Sequence, residues 1–116
     1  MDVAAKLQLK LGQTLHVNNL PDGVTFDLPN PPADPRNADA VLVFVRNASV
    51  LDTVASPAIA AARRDALAWI AYPKAGKLGT DLSRDSLWQL LKGKGIRPVR
   101  QVALDDTWSA LRFRPE

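Results

Sequence analysis

The chain contains no cysteine, which excludes disulfides, thiolate metal sites and cysteine nucleophiles at once. It has a single histidine, His16, and a single glutamate, Glu116. One histidine makes neither a His-rich metal site nor a triad without a placed acid and nucleophile. No apolar run approaches the ~20 residues needed to cross a bilayer, so a membrane is not an expected partner. The N-terminal MDVAAKLQLKLGQ lacks a basic region followed by an apolar core and does not read as a secretory signal. Together these absences predict a soluble, cytoplasmic protein with no metal and no built-in cofactor.

What is present is a foldable composition. Hydrophobic residues make up 47% of the 116 positions, enough for one α/β domain covering residues 1–116 to bury a core without staples. The net charge of +3 is unevenly spread. Residues 1–73 carry six basic and seven acidic side chains, and residues 74–116 carry nine and five, so the C-terminal part holds +4 and the rest −1. Such asymmetry permits an anionic partner, because summed surface charge steers association.

Residues 14–19 (TLHVNN) alternate weakly and read as a strand, and residues 24–28 (VTFDL) as a short extended piece. The proline-rich run at 29–35 (PNPPADP) suits neither helix nor inner strand and reads as a rigid loop. Two continuous apolar runs follow, at 40–45 (AVLVFV) and 67–72 (LAWIAY), each fitting a strand covered on both faces of a parallel sheet. Between them, residues 49–64 have helical composition. Ser56-Pro57 looks like an N-cap and first-turn pair, so a short helix, a break and a second helix are expected. A further helix is expected at 84–93, capped by Ser83, with Asp85 in its first turn and Leu87, Leu90 and Leu91 on one face. Gly93 or Gly95 supplies its left-handed stop. Residues 97–104 and 108–114 flank Asp105-Asp106-Thr107 as a hairpin, with one face inward and Arg100, Arg112 and Arg114 largely in solvent. The expected architecture is therefore α/β: a small, mostly parallel sheet with helices on its faces and a C-terminal antiparallel hairpin.

This order resembles the C-terminal half of the class I S-adenosylmethionine-dependent methyltransferase fold. More closely, the motifs AAKLQLKLGQT, ADAVLVFVRN, LAWIAYPK, TDLSRD and RPVRQVALDDTWSALRFRP resemble an uncharacterised bacterial family, a domain of unknown function. The resemblance implies a degenerate, Rossmann-like methyltransferase fold and carries no functional residue with it. A working methyltransferase of that fold needs a glycine-rich turn after its first strand. Here that strand is followed by NNLPDGVTFDLPNPP, and about twenty residues separate Leu20 from Ala40. The cofactor half looks deleted, and methyl transfer is disfavoured.

Three functional readings remain. The first is a non-catalytic binding or scaffold module, with a protein partner or a homodimer through the edge of the hairpin. The second is a binder of a small anionic ligand or nucleotide phosphate at the loop 73–84. Lys74-Ala75-Gly76-Lys77-Leu78-Gly79-Thr80 fails the Walker template, since no G-K-[ST] closes it. It nevertheless lies between a buried strand and a helix, where open α/β sheets place ligands. Lys74, Lys77 and Arg84 would supply charge, with Asn18, Asn19 and Arg46 at neighbouring strand ends. Against this stands the plainer reading, a basic connector with asparagines that cap locally. The third is weak nucleic-acid binding through Arg97, Arg100, Arg112 and Arg114, with Trp108 the tryptophan best placed for exposure. Asp105-Asp106 reads as turn chemistry rather than a carboxylate dyad.

Overall fold

A continuous apolar run can be buried only if both faces of its strand are covered, and Ala40–Phe44 form such a strand, β2, with all five residues buried. The computed structural model describes residues 3–10, 12–21, 34–74 and 77–116. The extended piece expected at 24–28 lies outside the described residues, as do most of the proline-rich run and Ala75 and Gly76. The other strands are β1 (Leu15–Asn18), β3 (Leu67–Pro73), β4 (Ile96–Ala103) and β5 (Trp108–Pro115). They make one open sheet in the order β1-β2-β3-β5-β4.

The α/β class and the antiparallel hairpin agree with the sequence, but the sheet is mixed rather than mostly parallel. The β1/β2 and β2/β3 pairs are parallel, whereas β3/β5 and β4/β5 are antiparallel. The short connection between β4 and β5 reverses the chain, and Asp105 fixes it by accepting hydrogen bonds from the backbone N–H groups of Thr107 and Trp108, each at 2.7 Å. It is β5, the returning strand, that docks on β3, leaving β4 at the edge. The hairpin therefore does not have one face inward and one outward. In β5, Leu111 and Phe113 enter one core while Trp108 and Ala110 enter the other.

Alternation along the strands divides the interior in two. Val41, Val43, Ala68, Ile70 and Tyr72 face the helices, and Ala40, Leu42, Phe44, Trp69 and Ala71 face the opposite side. On the helical side lie α2 (Leu51–Val54), α3 (Ser56–Arg63) and α4 (Arg84–Leu91). The buried residues of α3 are Ala58, Ala61 and Ala62, whose small side chains let the helix approach the sheet closely. Ser56 does not cap α3. Ala55 keeps helical angles and bridges α2 to α3, receiving at its carbonyl the N–H of Ile59 and donating its own N–H to Leu51. The chain never leaves the helical region there, so no N-cap position arises.

On the opposite face, the segment after α1 (Val3–Lys6) crosses the sheet. Leu7 is buried among Trp69, Phe44 and Trp108, and the Trp69 indole N–H donates to the Leu7 carbonyl at 3.1 Å. Phe44 and Trp108 meet edge to face, with ring centroids 5.1 Å apart. Trp108 is thus buried, contrary to the exposure expected of a hairpin residue, because β5 is an interior strand. For the same reason Arg112 is half-buried rather than solvated. Its guanidinium donates to the Gln8 side chain, and its Nε is buried without a hydrogen-bond partner.

At the opposite end of α3, Asp65 adopts a left-handed conformation (φ 59°) and receives Nε and Nη2 of Arg114 at 3.0 and 3.1 Å. This bidentate pair holds the Asp65 carboxyl below its usual value of 3.8. A carboxyl whose folded value is lowered adds stability above its unfolded value and loses it as the pH falls through the folded one. Asp65→Asn, a change that tolerates the left-handed backbone, is therefore expected to destabilise at neutral pH. The difference from the parent should close in acid below 3.8. Denaturant titrations of both proteins at neutral and acid pH check this, and a difference that persists in acid would mean the pair is not its source.

Candidate functional site

The parallel strands β1, β2 and β3 all end at the same edge of the sheet, which brings Asn18, Asn19, Arg46 and Lys74 to one side of the molecule. The asparagines serve the backbone there. Asn18 donates its side-chain amide to the Val54 carbonyl at 3.3 Å, tying β1 to α2. Asn19, in a left-handed conformation that asparagine tolerates (φ 61°), donates to the Phe44 carbonyl at 2.9 Å. These contacts satisfy a strand-end carbonyl and a helix-end carbonyl that would otherwise need water.

The loop after β3 is also tied down. Lys74 donates its backbone N–H to the Thr107 carbonyl at 2.7 Å, anchoring the loop to the hairpin turn. Residues Lys77–Gly79 form a single 3-10 turn, with Leu78 at φ 53°. Thr80 then donates its hydroxyl to the Arg46 carbonyl at 2.7 Å and accepts the Leu82 N–H at 3.0 Å. Asp81 accepts the Ala48 N–H at 2.8 Å. Neither Thr80 nor Asp81 was among the residues singled out by sequence, and together they staple the loop to the end of β2. The pair T-D ahead of a helix start was the only hint of this role.

The strand ends that carry Asn18, Asn19, Arg46 and Lys74 do not lie at a topological switch point among the described strands. A crevice opens where strand order reverses. Here β1, β2 and β3 lie side by side in chain order. The polar side chains Asn18, Asn19, Thr80 and Asp81 at that edge all bond to backbone.

Arg84 lies elsewhere. Ser83 caps α4 reciprocally with Ser86: the Ser83 hydroxyl accepts the Ser86 N–H at 3.2 Å, and the Ser86 hydroxyl accepts the Ser83 N–H at 2.8 Å. That cap fixes the first turn and sends Arg84 toward the edge strand. Leu87 and Leu91 pack into the helix-side core, while Leu90 is 47% exposed and does not share their face. Trp88, half-buried, takes the flank that Leu90 was expected to fill. Between α4 and β4 runs an open groove of about 320 Å³, lined by Arg84, Asp85 and Trp88 on one wall and residues 98–101 on the other. In the neighbouring core, the Gln101 amide donates to the Tyr72 hydroxyl at 3.0 Å. Burial raises the Tyr72 phenol above its usual value, with Arg84 opposing and Asp85 adding to the shift.

Lys77 is exposed and Lys74 half-buried. Among the described residues, no group of three histidine, aspartate or glutamate side chains is placed to hold a metal ion. Nor is any described helix long and apolar enough to cross a membrane. The chain matches no protein-family model, no curated protein and no solved structure, so its site is defined by these residues alone.

Proposed function

We propose that the chain is a non-catalytic binding module on a methyltransferase-like frame. One observation carries the reading: at the strand-end edge, where such a frame would seat its cofactor, the side chains of Asn18, Asn19, Thr80 and Asp81 are engaged in hydrogen bonds to backbone. The strand order, with β5 inserted ahead of β4, supports the resemblance in frame.

The test is thermal unfolding with S-adenosylmethionine and its demethylated product. A ligand at a hundred times its dissociation constant adds about 2.7 kcal/mol, which moves the midpoint of a domain this size by on the order of ten degrees. No shift is expected. A clear shift with either compound would overturn the reading.

A second reading, a small anionic ligand, is favoured by Arg84 and half-buried Trp88 in one groove. Pyrophosphate and mononucleotides in the same unfolding series decide it, since a shift abolished by Arg84→Ala would place the ligand against α4.

A further inference from the structure

The hairpin register sets four arginines in two cross-strand pairs. Arg97 lies opposite Arg114, and Arg100 lies opposite Arg112. Directly opposed residues share a face, and so do residues two apart on a strand, so all four guanidinium-bearing side chains spring from one face of the hairpin. The second pair exists only because of an irregularity. The register shifts between Pro98 and Arg100, so that an extra residue, Val99, is inserted in β4. With regular pairing, Val99 would stand opposite Arg112 and Arg100 would fall on the other face. The bulge thus brings a fourth positive charge to a face already holding three.

Like charges directly opposed destabilise a sheet. Asp65 pairs with Arg114 and only partly offsets the charge at Arg112, and Arg97, Arg100 and Arg112 have no carboxylate within ion-pair distance among the described residues. Arg112 shows the strain. Burial, and then the charges of Arg114 and Arg100, hold its guanidinium below its usual value, while its Nε stays buried and unpartnered.

We propose that this face binds the phosphate backbone of double-stranded nucleic acid, a step that rests on reading the chain as a binding module. Guanidinium groups match phosphate oxygens bidentately, and backbone contact needs no shaped pocket. A protein partner would want apolar anchors at the centre of the patch. Trp69, Trp108, Phe44 and Leu104 on this side are all buried, and Val99, 39% exposed at the bulge, is too small an anchor to stand in for them. The same burial removes the aromatic platform that single strands require. The arginines form a plot of about 5 Å across the strands and 7 Å along them. That grid is filled by the dense charge of a duplex, one phosphate per ~1.7 Å of axis.

The experiment is fluorescence anisotropy of a labelled mixed-sequence DNA duplex titrated with the full chain. Arg97 and Arg100, which have no hydrogen-bond or ion-pair partner among the described residues, predict a slope of log affinity on log salt near −1.8, or roughly a 12-fold loss between about 50 and 200 mM salt. Arg97→Glu with Arg100→Glu alters the edge strand alone and relieves repulsion, so it should bind at least tenfold less tightly with an unchanged or raised melting temperature. Asp65→Asn frees Arg114 and should tighten binding. Salt-insensitive binding, or binding unchanged in the double variant, overturns the proposal. So does arginine-dependent binding of polyglutamate or of phosphatidylserine vesicles in place of the duplex. S-adenosylmethionine added alone separates the two readings: binding of that compound defeats the non-catalytic module and leaves the duplex result to stand by itself.

Discussion

Trp69→Ala is expected to remove about 3–5 kcal/mol of stability, the range for truncating a buried aromatic. Trp69 has no exposed surface, sits in an interior strand, and is the largest fully buried side chain in the protein. Two effects combine. The packing on Leu7, Phe44 and Ala71 is lost, and the Leu7 carbonyl loses its indole donor. A domain with the usual 5–15 kcal/mol to lose would be left marginal or unfolded. Trp69→Phe separates the effects, because it keeps most of the apolar volume while deleting the donor. Its loss should be near the net value of a hydrogen bond plus a small cavity, about 1–2 kcal/mol. Denaturant midpoints monitored by circular dichroism measure both. A loss below about 1 kcal/mol for the alanine variant would show that the segment over this face is not part of the cooperative core.

Leu87→Ala comes next, with an expected loss of about 2–5 kcal/mol. Here the interest is where the damage goes. Helix α4 is eight residues long, too short to persist alone, and its buried residues are Leu87 and Leu91. Removing one of two anchors should loosen the helix before the sheet. Hydrogen exchange over residues 84–91 should accelerate beyond that of β2 and β3, with the α4–β4 groove losing its Trp88 wall. Uniform acceleration across the chain would mean that α4 unfolds only with the whole domain.

The two central strands were legible because nothing but full burial explains AVLVFV and LAWIAY. Helix α4 was legible from Ser83 and the leucines, and the hairpin from Asp105-Asp106-Thr107. Strand order was not. Both hairpin strands alternate, and alternation cannot say which of them docks on β3, so the pattern predicts exposure for Trp108 and a solvated Arg112, where the structure buries the first and half-buries the second. Leu90 differs for a related reason: Trp88, on the other flank of Leu87, packs half-buried against the core, and a wheel of leucines cannot rank the two flanks. Of the candidate site, the sequence located the strand ends and the loop correctly in the chain. It missed Thr80 and Asp81, and the Gln101–Tyr72 bond joins residues far apart in sequence with no local signal.

The edge strand has a consequence for how copies of this chain meet one another. An exposed β edge is a template on which another strand can grow, and unguarded edges seed fibres. In β4 the template is broken three times within four residues: Pro98 offers no N–H, the extra Val99 spoils the spacing, and Arg97 and Arg100 repel an identical strand. The homodimer through this edge that the hairpin pattern suggested therefore meets a barrier at β4. Neutralising the arginines lifts the third guard only. A polyanion would then draw copies together side by side along its length, while proline and bulge still keep their sheets from fusing.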